Sequence, residues 1–120
     1  MREREIKNAK ISSTMLGWED HGIFTFSIGM DYGGSGQGFG QFTLDEPIKK
    51  NGEFMGRVGT AAGMDAIMKV LKVVGVEKWE ALKGQVVRVD GDFSQIYRIG
   101  NVLEDKWFDI EEHFKSWGIK

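Results

Sequence analysis

Apolar and polar residues alternate most regularly between Phe24 and Tyr32. There Phe24, Phe26, Ile28, Met30 and Tyr32 are interleaved with Thr25, Ser27, Gly29 and Asp31. A period of two sends one set of side chains to a buried face, which predicts a β-strand. A preceding strand is read from about Ile6 to Trp18. Between the two, Glu19-Asp20-His21-Gly22 reads as a hairpin turn in which Gly22 supplies a positive φ. Gly33-Gly34-Ser35-Gly36 makes the next turn, and Gln37 to Leu44 a third strand with Phe42 and Leu44 on one side. The first third of the chain is therefore expected to form an antiparallel meander.

The period then changes. Asp45 to Gly59 reads as a polar, glycine-punctuated loop around the only proline, Pro47. Beyond it, Met64, Ile67, Met68, Leu71 and Val74 recur at the spacing of one helical face, with Thr60 as the N-cap and Gly75 at the C-terminal end. Val76 to Leu82 is expected to form a short helical turn around Trp79. Gln85 to Val89 and Gln95 to Ile99 read as a second hairpin joined through Asp90-Gly91-Asp92, and Asn101 to Asp105 as a polar break. Trp107 to Trp117 begins as a strand and continues as a short helix. The expected class is α+β: one domain over residues 1–120, an antiparallel sheet of five or six strands, one amphipathic helix and one short C-terminal helix.

Composition narrows the function classes. A chain of 120 residues is about one domain, and 41% hydrophobic residues exclude general disorder. A formal net charge of -2 argues against a dedicated duplex-binding protein. The absence of cysteine removes disulfides, thiolate metal sites and cysteine nucleophiles together. The charged start Met1-Arg2-Glu3-Arg4-Glu5 does not read as a signal peptide. No window reaches the roughly 18 apolar residues of a membrane span, and the end, Ser116 to Lys120, carries no lipidation motif. The expectation is a cytoplasmic protein with no membrane partner. Eight phenylalanines, four tryptophans and two tyrosines exceed what so small a core takes, which points to exposed aromatic surface. Glycine, at 17 residues, is about twice its average usage.

That glycine does not spell a known phosphate motif. Gly33 and Gly38 have the spacing of a phosphate loop, but Phe39-Gly40 follows them where Lys and Ser or Thr are needed. The dinucleotide pattern fails at Phe39, Gln41 and Thr43, and a nucleophile elbow fails at Gln37. His21 reads as a solvated turn residue and His113 as lying on the wet face of the last helix. The acidic pairs Glu19-Asp20, Asp45-Glu46, Glu104-Asp105 and Glu111-Glu112 are sequence neighbours whose side chains diverge. No catalytic constellation is visible, so the chain is not expected to be an enzyme.

Four features remain as recognition candidates. Gly33 to Gly40 is either a tight turn plus a strand open to close approach, or an edge where Gln37 and Phe39 supply polar and stacking contacts. Met55 to Gly63 feeds a glycine-rich loop into a helix start. Its residues Arg57, Gly59 and Thr60 either pack that start or hold an anion there. The hairpin Arg88 to Asn101 places Phe93, Arg98 and Asn101 near Tyr97, which suits a stacked base or a phosphate, or else is a structural hairpin with solvated arginines. Trp107-Phe108 with Trp117 reads as core or subunit interface, or as a ligand platform.

The stretch from Ile6 to Asp45 (IKNAKISSTMLGWEDHGIFTFSIGMDYGGSGQGFGQFTLD), the helix, and Trp79-Glu80-Ala81-Leu82-Lys83-Gly84 resemble a family of small phage proteins. These are the Thoeris anti-defence proteins of the cyclic-ADP-ribose-sponge type. The resemblance covers most of the chain and its order of sheet, helix, sheet and short helix. It implies binding without catalysis: the glyco-cyclic ADP-ribose signal made by a host TIR-domain enzyme is held away from its effector. It also implies no cofactor, homo-oligomers (dimers or larger) with pockets between subunits, and residence in the cytoplasm of an infected bacterial host. In some members it implies cyclic oligonucleotides at separate sites. No family contact residue is carried over. The candidate ligand-binding residues Arg57, Gly59, Thr60, Gln37, Phe39, Phe93, Arg98 and Asn101 rest on chemistry alone: arginines and a helix terminus for pyrophosphate, aromatics for adenine, amides for ribose hydroxyls. The alternative is a phage inhibitor that binds a host defence protein directly, in the manner of an anti-CRISPR, which the acidic balance and exposed aromatics suit.

Overall fold

The computed structural model describes residues 4–118. The charged start Met1-Arg2-Glu3 and the final Ile119-Lys120 lie outside the described residues. Chain order is β1 (Glu5–Trp18), β2 (Phe24–Asp31), β3 (Gly36–Gly40), β4 (Asp45–Lys50), β5 (Glu53–Gly59), α1 (Ala61–Val74), a single 3-10 turn (Trp79–Ala81), β6 (Val86–Gly91), β7 (Ile96–Gly100), β8 (Trp107–Asp109) and α2 (Ile110–Ser116). Six strands form one antiparallel sheet in the order β3-β2-β1-β6-β7-β8, and β4 and β5 pair separately. The α+β class, the meander and the second hairpin are as the alternation of side chains predicts. Among the described residues no helix is long and apolar enough to cross a membrane.

The sheet curls until its ends approach. Phe39 of β3 meets Phe108 of β8 edge to face, with ring centroids 6.2 Å apart. Gln37 Nε2 donates to the Asp92 carbonyl in the β6–β7 turn at 2.8 Å. The concave face holds Ala9, Ile11, Phe26, Ile28, Met30, Val87, Val89 and Ile99, all buried. Trp79 packs its ring edgewise on Phe26. Burial of each such large side chain contributes about 1.5–3 kcal/mol.

Four expectations change in the structure. The loop over 45–59 is a β-hairpin, turned at Asn51 (φ 52) and Gly52 (φ 80). Asn-Gly is the preferred pair for a two-residue turn with both φ angles positive, and this dipeptide was the overlooked signal. The third strand stops at Gly40, short of Leu44, because Gly40 (φ 111) and Gln41 (φ 67) leave extended geometry. The face that the helix turns to the core is rotated from the one the spacing suggests. Ala62, Gly63, Ala66, Val70 and Val73 are buried, whereas Met64 and Met68 are exposed. Val74 of the expected stripe is buried, and Ile67 and Leu71 pack partly buried against the core, so the buried face is turned by about one residue, roughly 100° around the helix. Close approach sets that face: a Cβ on Gly63 would overlap the Leu44 carbonyl, so only small side chains fit that contact. Finally, His113 is buried rather than solvated. Its Nε2 lies 2.8 Å from the Ala62 carbonyl and its Nδ1 3.2 Å from Lys69 Nζ, which ties α2 to α1.

Gly63→Ala is expected to destabilise the chain by about 1–3 kcal/mol, the usual cost of overpacking. Met64→Ala should change stability by less than about 0.5 kcal/mol. Urea unfolding followed by tryptophan fluorescence measures both, and equal effects would contradict the assigned face.

Candidate functional site

Most arginines expected to meet a ligand are paired within the fold. Arg57 projects from β5 onto Asp45 at the base of the hairpin. Its Nε donates to Oδ2 at 2.8 Å and its Nη2 to Oδ1 at 3.0 Å. Asp45 is buried and also accepts the Phe24 amide. The hydrogen bond from Arg57 holds the Asp45 carboxyl below the usual carboxylate range, with the Phe24 amide adding to it. Gly59 ends β5. Thr60 caps α1, accepting the Gly63 amide at 2.9 Å and donating to the Leu44 carbonyl at 3.0 Å. The loop read as an anion site thus has its guanidinium neutralised and its cap occupied.

A second ion cluster ties the start of the chain to the second hairpin. Asp90 accepts from Arg4 (Nε to Oδ1, 3.1 Å; Nη2 to Oδ2, 3.0 Å) and from Arg98 (Nε to Oδ2, 2.6 Å). Burial alone would push the Asp90 carboxyl up, but the hydrogen bonds from Arg4 and Arg98 outweigh it and the net shift is downward. The Arg98 guanidinium also lies 4.1 Å from the centre of the Trp107 ring, with Arg88 at 4.6 Å. The indole covers Gly100, where a Cβ would strike it. Asn101 is a clasp: Nδ2 donates to the Val73 carbonyl at 3.0 Å, and Oδ1 accepts the amides of Leu103 and Glu104. Phe39, expected as a stacking contact, is 1% exposed and belongs to the core, because strand alternation turns it to the concave face.

Gln37 and Phe93 do come together, at a cavity of about 470 Å³ where the curled sheet fails to close. One wall is β3 and the bend after it: Gln37, Gly38, Gly40, Gln41 and Phe42. The facing wall is the segment 93–97, and the start of α2 adds Ile110 and Glu111. The gap lies where β8 pairs with Arg98, Ile99 and Gly100 and, among the described residues, no strand continues alongside Ile96 and Tyr97 on that side. Phe42 stacks flat on Phe114 of α2, with centroids 5.5 Å apart, and fixes the floor. The Gln37 amide is held at both ends, its Oε1 accepting from Tyr32 Oη at 2.6 Å. Asp92 organises the opposite turn, accepting from Ser94 Oγ (2.6 Å), Tyr97 Oη (2.8 Å) and the Ser94 and Gln95 amides. The Ser94 and Tyr97 hydroxyls, foremost among these, hold its carboxyl well below the usual range. Phe93 stands at the mouth, 78% exposed.

The lining is amide, hydroxyl, aromatic and glycine backbone, with one carboxylate, Glu111; among the described residues no lysine or arginine lines it. Two cations lie one layer behind. Arg4 sits 4.3 Å from the Tyr97 ring centre, and Lys7 Nζ 4.2 Å from that of Tyr32. Gln41 and Glu111 carry no signal in the sequence because only the curl of the sheet brings them to Gln37 and Phe93, whereas Tyr97 arrives with the hairpin already singled out. The positive φ of Gln41 is the local feature that turns this segment into the wall. The chain matches no family model, no curated protein and no solved structure.

Asp45 and Asp90 both titrate lower in the fold than in the unfolded chain. Their stabilisation is therefore present in full above about pH 4, the unfolded carboxylate value, and is lost as pH falls through the lowered folded values. The urea midpoint should hold between pH 7 and 5 and drop below pH 4. Asp90→Asn should start lower at pH 7 and fall less steeply. An acid limb as steep in this variant as in the parent would remove Asp90 from the account.

Proposed function

We propose that the chain binds a cyclic ADP-ribose-type signal, glyco-cyclic ADP-ribose, and sequesters it without degrading it. The observation that carries this reading is the unclosed side of the sheet: a cavity within the size range of small-ligand sites, lined by uncharged hydrogen-bonding groups and aromatics with one carboxylate, Glu111. The resemblance of Ile6 to Asp45, the helix and Trp79 to Gly84 to the sponge-type anti-defence proteins supports it. In this reading the cavity takes the neutral nucleoside part of the ligand and leaves the diphosphate towards the mouth, since the lining offers no cation to pair it. Arg57, bound to Asp45, is assigned to stability rather than to the ligand.

A second reading, a direct inhibitor of a host defence protein, is favoured by one observation. The β4–β5 hairpin carries Ile48, Phe54, Met55 and Val58 exposed. Exposed apolar groups of this kind mark contact surfaces.

Titration calorimetry with glyco-cyclic ADP-ribose should give submicromolar binding, with the ligand recovered chemically intact after heat denaturation. Phe93→Ala should weaken it at least tenfold, the scale of one lost base-stacking contact, whereas Phe54→Ser should leave it unchanged. Absence of binding heat would overturn the sponge reading, and recovery of a cleaved product would replace it with an enzyme.

A further inference from the structure

We propose that the cavity reads an adenine-type base along the free edge of β3, the Gly38 carbonyl accepting from an exocyclic amino group and the Gly40 amide donating to the adjacent ring nitrogen. This rests on the nucleotide-binding reading above and adds what part of the ligand is read, and by which atoms.

The hydrogen-bond phase of the β2–β3 pair carries the argument. The two strands pair with Ser27 opposite Gly40, Ile28 opposite Phe39, Gly29 opposite Gly38 and Met30 opposite Gln37. Just beyond the ends of β3, the Gln41 amide donates to the Phe26 carbonyl at 2.7 Å and the Tyr32 amide to the Ser35 carbonyl at 2.9 Å. In an antiparallel pair the residues that exchange bonds alternate with residues that do not. Those two bonds therefore place Gln37 and Phe39 in the bonded phase. The N–H and C=O groups of Gly36, Gly38 and Gly40 point the other way, off the sheet. No strand among the described residues takes them up, because β3 ends the sheet order. Gly38 and Gly40 line the cavity on that side.

Unpaired strand backbone is a ready template for a partner with matching donors and acceptors. A further strand does not suit this edge, since Gln37 crosses the gap to Asp92 and the segment 93–97 faces it. A flat heterocycle does. The Gly38 carbonyl and the Gly40 amide flank one residue and offer an acceptor beside a donor. Adenine presents the complement, an amino donor beside an unprotonated ring nitrogen. Hypoxanthine and guanine present the reverse on the same edge and leave both backbone groups unpaired, which is the strongest basis for rejecting a near-isostere. Glycine at 38 fits this use. A Cβ there would meet only Ser27 Oγ at an ordinary 3.8 Å, so the fold itself does not demand glycine at that position. A branched side chain would shade the carbonyl beside it.

The test is amide-resolved NMR of the whole chain titrated with glyco-cyclic ADP-ribose, adenosine, inosine, N6,N6-dimethyladenosine, 1-methyladenosine and ribose 5-phosphate. Adenosine should shift the Gly38 and Gly40 amides. The two methylated nucleosides and inosine should bind at least tenfold more weakly, and ribose 5-phosphate should leave both amides in place. Gly38→Val should weaken adenosine at least tenfold at an unchanged thermal midpoint, and the analogue series stands without it if the variant fails to fold. If glyco-cyclic ADP-ribose binds while inosine and the methylated nucleosides match adenosine, or while the two amides stay unshifted, the edge assignment is overturned and the binding reading survives. If neither glyco-cyclic ADP-ribose nor adenosine binds, the binding reading itself has failed.

Discussion

The structure turns on a sheet that curls far enough to bring its ends together but lacks the strand to bond them. β3 is five residues long and β8 three, and neither spans the gap. Side chains bridge it instead: Phe39 on Phe108 in the core, Gln37 to the Asp92 carbonyl above, Phe42 on Phe114 below. A barrel closed by backbone bonds has no edge left to offer. One closed by side chains keeps a strip of unpaired backbone beside a pocket. Helix α1 can reach the concave side because its contact face is alanine, glycine and valine, and α2 is positioned in turn by His113 against the first turn of α1.

Charge is used inward in this chain. Three buried or well-bonded carboxylates, Asp45, Asp90 and Asp92, organise the base of the β4–β5 hairpin, the start of β1 and the turn that faces the cavity. Asp45 and Asp90 take up Arg57, Arg4 and Arg98, the cations that a phosphate site would need. Apart from the carboxylate Glu111, the pocket lining among the described residues is left to uncharged groups.

Alternation and turn chemistry made the meander, the second hairpin and the caps of both ends of α1 legible before any coordinates. Thr60 and Gly75 serve as read, the latter in left-handed geometry at φ 93. The hairpin over 45–59 was hidden by its exposed, charged residues, which dilute the apolar signal that a two-stranded ribbon never needs. The apolar spacing of α1 locates its buried side only to within about one residue, with Val74 buried and Ile67 and Leu71 on the core but Met64 and Met68 outside, because the close contact of Gly63 with Leu44 brings the small residues to the sheet. His113 was misplaced because its partners, Lys69 and the Ala62 carbonyl, lie 44 and 51 residues away. Of the residues chosen for a site, Gln37 and Phe93 reach the cavity. Arg57, Arg98 and Asn101 were chosen for their chemistry, and that chemistry is used on partners inside the chain that no local pattern reveals.

Glycine in β3 also sets how that wall holds together. Three of its five residues lack a side chain, so the strand gains little packing on its outer face while losing the most backbone entropy on ordering. Phe39 is its main anchor. Separating β3 from β2 would expose that one ring and a five-pair ladder, so β3 is held mainly by its pairing with β2 and by Phe39. A ligand that bound only the paired form of this edge would stabilise the whole chain in proportion to the logarithm of its concentration.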